Sequence, residues 1–177
     1  MARMQDVAPY GFFTLNDAAR ITGVDRGRVN YWCSRWGAGL VNPEVDPRTR
    51  GGTKLLSEHD LVKVTLIPKL LQTGLDHAQI AHMFNKAEPA WWDLTKARRD
   101  NPNFLDWIVV VRDWRFRLEW RLVASAYRHD PPMHVGDGAL RGLRDVLNEA
   151  LRKHGPMRGF QVIELSNLKR ELLERIE

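Results

Sequence analysis

The chain has 177 residues, enough for one domain or two small ones, with 44% hydrophobic and 28% charged residues. That balance supports a packed core and excludes global disorder. The formal net charge of +5 is mildly basic, and the single cysteine, Cys33, excludes an intramolecular disulfide framework or a thiolate metal cluster. No apolar run approaches the roughly 18 residues of a membrane-spanning helix, and the N-terminus lacks a signal-peptide core. The expectation is a cytoplasmic protein with no membrane partner.

In chain order, Thr14 opens a first short helix with Asp17 at capping-box spacing, and Gly23 closes it. Asp25 caps a second helix running to about Arg35. Two short helices across a Gly-Val turn carry the signature of a helix-turn-helix. The stretch from Leu40 to Leu56 contains Pro43, Pro47, Gly51 and Gly52, and is predicted to be a loop or small β-wing. Ser57 with Asp60 caps a third helix, in which Pro68 predicts a kink or break. After Gly74, Asp76 with Gln79 caps a fourth helix whose inner face is Ile80, Met83 and Phe84.

Between Glu88 and Asn103 the pattern is irregular, with one short helix expected through Trp91 and Trp92 and a breaker at Asp100-Asn101-Pro102-Asn103. The period then changes. Trp107 to Val111 is a β-branched run, and Trp114, Phe116, Leu118, Trp120 and Leu122 alternate with Arg115, Arg117, Glu119 and Arg121. A single long helix would also place Trp107, Val111, Trp114, Leu118 and Leu122 on one face. The strict alternation favours strands. A helix through Leu140, Leu143, Leu147 and Leu151, a strand from Phe160 to Leu165, and a last helix with Leu168, Leu172 and Ile176 inward complete the chain.

The predicted class is α+β: a DNA-binding unit over residues 10–87, a connector over 88–103, and a small α/β domain over 104–177. On a helical wheel Val29, Trp32, Cys33 and Trp36 share the second helix's buried face. The opposite face presents Gly27, Asn30, Tyr31 and Ser34, flanked by Arg28 and Arg35, and Arg26 is a further basic candidate for DNA contact. Asn and Arg can pair with base edges in two-pronged fashion, while Tyr and Ser can bond phosphate. Arg48, Arg50 and Lys54 flank Gly51-Gly52 and could reach flanking phosphates. A solvated polar face is the alternative that every surface helix offers.

Four further pieces occur in order: Val29-Asn30-Tyr31-Trp32-Cys33, Gly39-Leu40-Val41-Asn42-Pro43, Gly52-Thr53-Lys54-Leu55-Leu56-Ser57-Glu58-His59-Asp60-Leu61, and Gly74-Leu75-Asp76-His77-Ala78-Gln79-Ile80. Together they resemble the MerR family of bacterial transcription regulators over roughly Phe12 to Phe84. The resemblance implies a winged helix-turn-helix, double-stranded DNA as partner, and a regulator that pairs as a homodimer. Asn30 and Cys33 stand where the family usually has arginine and an acid. Pro102 interrupts the place of the family's dimerisation helix, so dimerisation would fall to residues beyond about 104.

Two other functions fit the same residues. One is a DNA-architectural or recombination-accessory protein of a phage or mobile element. The other is an autoregulating antitoxin-like interaction module. Cys33 is expected to be an inert core thiol. No catalytic residue, metal site or cofactor is expected, because no phosphate loop, nucleophile elbow or zinc-helix motif occurs. No effector is named by any motif. Arg115, Arg117 and Arg121 are either a solvated face or an auxiliary phosphate or partner surface.

Overall fold

A computed structural model describes residues 11–34, 39–45, 53–87, 91–92, 94, 106–113, 115, 117–124, 144–145, 147–153 and 155–176. The first strand, β1 (Phe12–Thr14), leads directly into α1 (Leu15–Thr22). The Thr14 hydroxyl accepts from the Asp17 amide at 3.2 Å, and Asp17 accepts from the Thr14 amide at 3.1 Å. Such a reciprocal cap satisfies two amides that the helix start leaves without partners. Gly23 ends the helix at φ 71°, a left-handed conformation that costs glycine little, and its amide returns to the Ala19 carbonyl.

The second helix, α2 (Arg26–Trp32), starts where Asp25 accepts from the Arg28 amide. It stops at Cys33, earlier than the sequence predicts. Strand β2 (Leu55–Ser57) pairs antiparallel with β1, matching Phe13 to Leu56. Three residues per strand are too few for a visible alternation, which is why β1 is missed from sequence.

Helix α3 (Glu58–Gln72) is the centre of the molecule. Leu61, Val62, Val64, Leu66, Ile67 and Leu70 are all fully buried, and α1 and β2 pack on it. It runs through Pro68 without a break. The missing proline donor costs about 3 kcal/mol in a helix interior. Each fully buried aliphatic side chain on either side returns about 1.5–3 kcal/mol. Helix α4 (His77–Lys86) follows a turn at Thr73-Gly74 and buries Ile80, Met83 and Phe84 as expected.

The C-terminal half has the predicted order of strand, strand, helix, strand, helix. Strands β3 (Asp106–Asp113), β4 (Leu118–Ala124) and β5 (Met157–Glu164) form an antiparallel sheet in the order β4-β3-β5. One boundary differs from expectation. The alternating stretch from Trp114 is not strand throughout, because Arg115 and Arg117 belong to the β3–β4 turn and β4 begins at Leu118. The cause is Asp113. Its carboxylate accepts from the amides of Arg115 and Arg117, both at 2.8 Å, and from the Arg117 guanidinium at 2.9 Å.

Central strand β3 is buried on both faces. Val109 and Val111 pack with Leu147 and Ala150 of a helical stretch over 147–153, and Ile108 and Val110 face the main core. The last helix, α5 (Leu165–Ile176), lies on that same side and packs against α1, α3 and β3. Leu168, Leu172 and Leu173 therefore join Ile21, Leu61 and Ile108 in one contiguous cluster. Among the described residues no helix is long and apolar enough to cross a membrane.

Candidate nucleic-acid interface

Helix α2 is anchored by one face and open on the other. Val29 is fully buried and Trp32 and Cys33 nearly so. Arg26, Arg28, Asn30 and Tyr31 are exposed, Tyr31 at 48%. These four sequence-derived candidates are thus accessible, Asn30 and Tyr31 on the side away from Val29 and Trp32, with Arg26 and Arg28 on opposite flanks. Ser34 is half-buried just past the helix, where its amide donates to the Tyr31 carbonyl. Gly27 keeps the helix entrance narrow: a Cβ there would sit 3.0 Å from the Asp25 carboxylate that caps the helix.

The orientation of α2 is fixed at its C-terminal end by returning chain. The amides of Leu40 and Val41 both donate to the Trp32 carbonyl, at 2.8 and 3.1 Å. The Lys54 ammonium donates to the Cys33 carbonyl at 3.2 Å. A cation at a helix C-terminus is favourable, since the last carbonyls carry partial negative charge. Lys54 is therefore tied to the C-terminal end of α2. Val45 and Leu55 exchange both backbone hydrogen bonds of an antiparallel bridge and close the root of the wing. Arg48 and Arg50, between Val45 and Leu55 in sequence, lie outside the described residues, as does Arg35.

Two features near this surface escape the sequence. The ring of His77, the first residue of α4, lies 6.1 Å from that of Tyr31, so α4 begins beside the open face of α2. Periodicity along one helix carries no sign of a neighbour 46 positions away. The second feature is the β3–β4 turn, where burial works against the Asp113 carboxylate but is outweighed. The Arg117 amide and guanidinium and the Arg115 amide hold its pKa below the ordinary 3.8. The ionised carboxylate thus pins a turn that carries two arginines. Elsewhere, burial raises the Asp60 carboxyl above 3.8 despite its bonds to Ser57, as befits a capping residue sunk beneath α3's first turn.

With α1, its Gly23 turn, α2 and the bridged wing in place, residues 13–87 match the family model of the MerR HTH family regulatory protein. The N-terminal domain is MerR-like. The match covers 75 of the 177 residues, so it describes this domain and leaves the sheet and α5 outside. No curated protein matches the chain. The MerR-like domain accounts for the elements from β1 to α4, and a helix-turn-helix of a regulatory family supports DNA binding at that level.

Proposed function

We propose that the chain is a sequence-specific transcription regulator that acts on double-stranded DNA in the cytoplasm, with α2 lying in the major groove. The observation that carries this reading is the division of α2. Val29, Trp32 and Cys33 lock one face into the core, and the exposed remainder carries Asn30 and Tyr31 with Arg26 and Arg28 on its flanks. Asparagine can pair with adenine and arginine with guanine through two bonds each, which a rigidly held helix can present in register. Arg48 and Arg50 on the wing loop would meet flanking phosphates. Lys54 would serve the interface by holding the end of α2. We also propose that two copies act together, since paired half-sites multiply a weak single contact.

The test is selection of a preferred duplex followed by titration of Asn30→Ala and Arg28→Ala on that duplex and a scrambled one. Each variant is expected to lose about 1–3 kcal/mol on the preferred duplex and to relax the preference at one position. Wild-type affinity and preference in both variants would remove α2 from the role of reading helix.

A further inference from the structure

Arg115 and Arg117, two of the arginines singled out in the C-terminal half, lie at one end of the sheet with Arg112 and Arg158, whereas Arg121 sits opposite Val109 further along β4. Because β3 is antiparallel to both neighbours, its C-terminal end, the β3–β4 turn and the start of β5 lie together. Arg112 is opposite Leu118 on β4 and Gly159 on β5, which sets Arg112, Arg115, Arg117 and Arg158 around one rim. All four are exposed. The one carboxylate inside the turn, Asp113, is 4% exposed and already accepts three hydrogen bonds from Arg115 and Arg117. Beside the turn lies a groove of about 330 Å³ lined by Thr73, Arg112, Leu118, Arg158, Phe160 and Gln161, and no acidic side chain borders it among the described residues.

This rim is joined to the α3–α4 turn. The Arg112 guanidinium donates to the Thr73 carbonyl at 3.3 Å. It can approach so closely because Gly74 has no side chain: a Cβ there would stand 2.9 Å from Nη2. Four residues further on, His77 meets Tyr31 on the open face of α2. Four residues span at most about 14 Å. With the ring contact and the linking side chains added, the Arg112 guanidinium stands within about nine base steps of α2, at about 3.4 Å per step.

We propose that this basic end of the sheet is a second DNA contact, gripping the phosphate backbone beside the bases that α2 reads. The inference rests on the DNA-binding reading of α2. A rim of guanidinium groups matches a row of phosphates and carries no base code, so it adds affinity without changing preference. The Asp113 turn supplies the rigidity, since it fixes the backbone from which Arg115 and Arg117 extend. The domain outside the MerR-like match would then lengthen the footprint.

The experiment compares the wild-type full chain with Arg115→Gln/Arg158→Gln on a minimal duplex and on one extended by about ten base pairs each side, from 50 to 200 mM salt. The wild type is expected to bind the extended duplex about tenfold more tightly, with a salt slope steeper by about 0.9 for each added phosphate contact. The double variant should lose both the gain and about two units of slope, with unchanged base preference and unchanged affinity for the minimal duplex. Arg112→Lys, which keeps charge, should retain the gain. Equal slopes and affinities for wild type and variant on the extended duplex would overturn this contact while leaving the α2 reading intact. No duplex binding by the wild type at any length would overturn both.

Discussion

Lys169 is 1% exposed, and its ammonium lies 3.2 Å from the equally buried Asp106. The pair joins α5 to the first residue of β3, at the seam between the sheet and the main core. Two charges withdrawn from water are worth little as a pair, but one left alone is expensive. Lys169→Met is expected to destabilise the chain by about 3–5 kcal/mol, and Asp106→Asn/Lys169→Met to recover most of that, both measured by urea denaturation. A single variant within about 1 kcal/mol of the wild type would show that the pair is dispensable. The sequence offers no warning here, because a lysine among Leu168, Leu172 and Leu173 looks like an ordinary surface charge. Legibility at this scale depends on locality. Val29, Trp32 and Cys33 were assignable to the core from spacing alone, because their faces are set by the helix itself. Lys54 was assigned to the wing with Arg48 and Arg50, and its bond to Cys33, 21 positions away, lies beyond any local pattern.

Elements were legible where a cap marked them. Thr14-Asp17, Ser57-Asp60 and Asp76-Gln79 each start a helix at the expected residue, with both bonds of the capping box formed. Where tertiary burial overrides a local rule, the sequence misleads. Pro68 is such a case as regards a break, one of the two outcomes its position predicts, since α3 continues to Gln72 with Ile67 and Leu70 fully buried around it. Pro68→Ala should restore the bond to the Val64 carbonyl and raise stability by about 1–3 kcal/mol, after the larger unfolded-state entropy of alanine is subtracted. For a chain of this length that corresponds to a rise in Tm of about 2–12 °C by calorimetry. A lower Tm would mean that the proline ring or the bend it imposes is itself required by the packing. The β3–β4 hairpin misled differently. Arg115 and Arg117 continue the alternation of a strand, but Asp113 captures both of their amides and turns the chain.

The whole molecule was legible as a class and an order of elements, but not as an assembly of faces. The sequence assigned dimerisation to residues beyond about 104, a stretch that includes Leu168 and Leu172. They lie in the core: α5 packs on α1 and α3, and Arg175 reaches the Ile21 carbonyl at the end of α1. The second copy proposed above would then meet another surface. Strand β5 is an edge of its sheet, and among the described residues no strand pairs with its outer side. Phe160 and Val162 stand 48% and 40% exposed on it. An antiparallel pairing about a two-fold axis at Gln161 sets Phe160 opposite Val162 of the second copy, twice, because the positions sum to the same register. Aromatic and β-branched side chains so placed contribute roughly 0.2–1 kcal/mol per pair beyond the new backbone bonds. The full chain is therefore expected to sediment as a dimer, and Val162→Lys as a monomer, since a charge on an edge strand blocks pairing. On a two-fold DNA site the variant should bind more weakly, while its affinity for one half-site stays at the wild-type value. A monomeric wild type at concentrations well above its DNA dissociation constant would discard the dimer altogether. A dimer unaffected by Val162→Lys would move it to another surface.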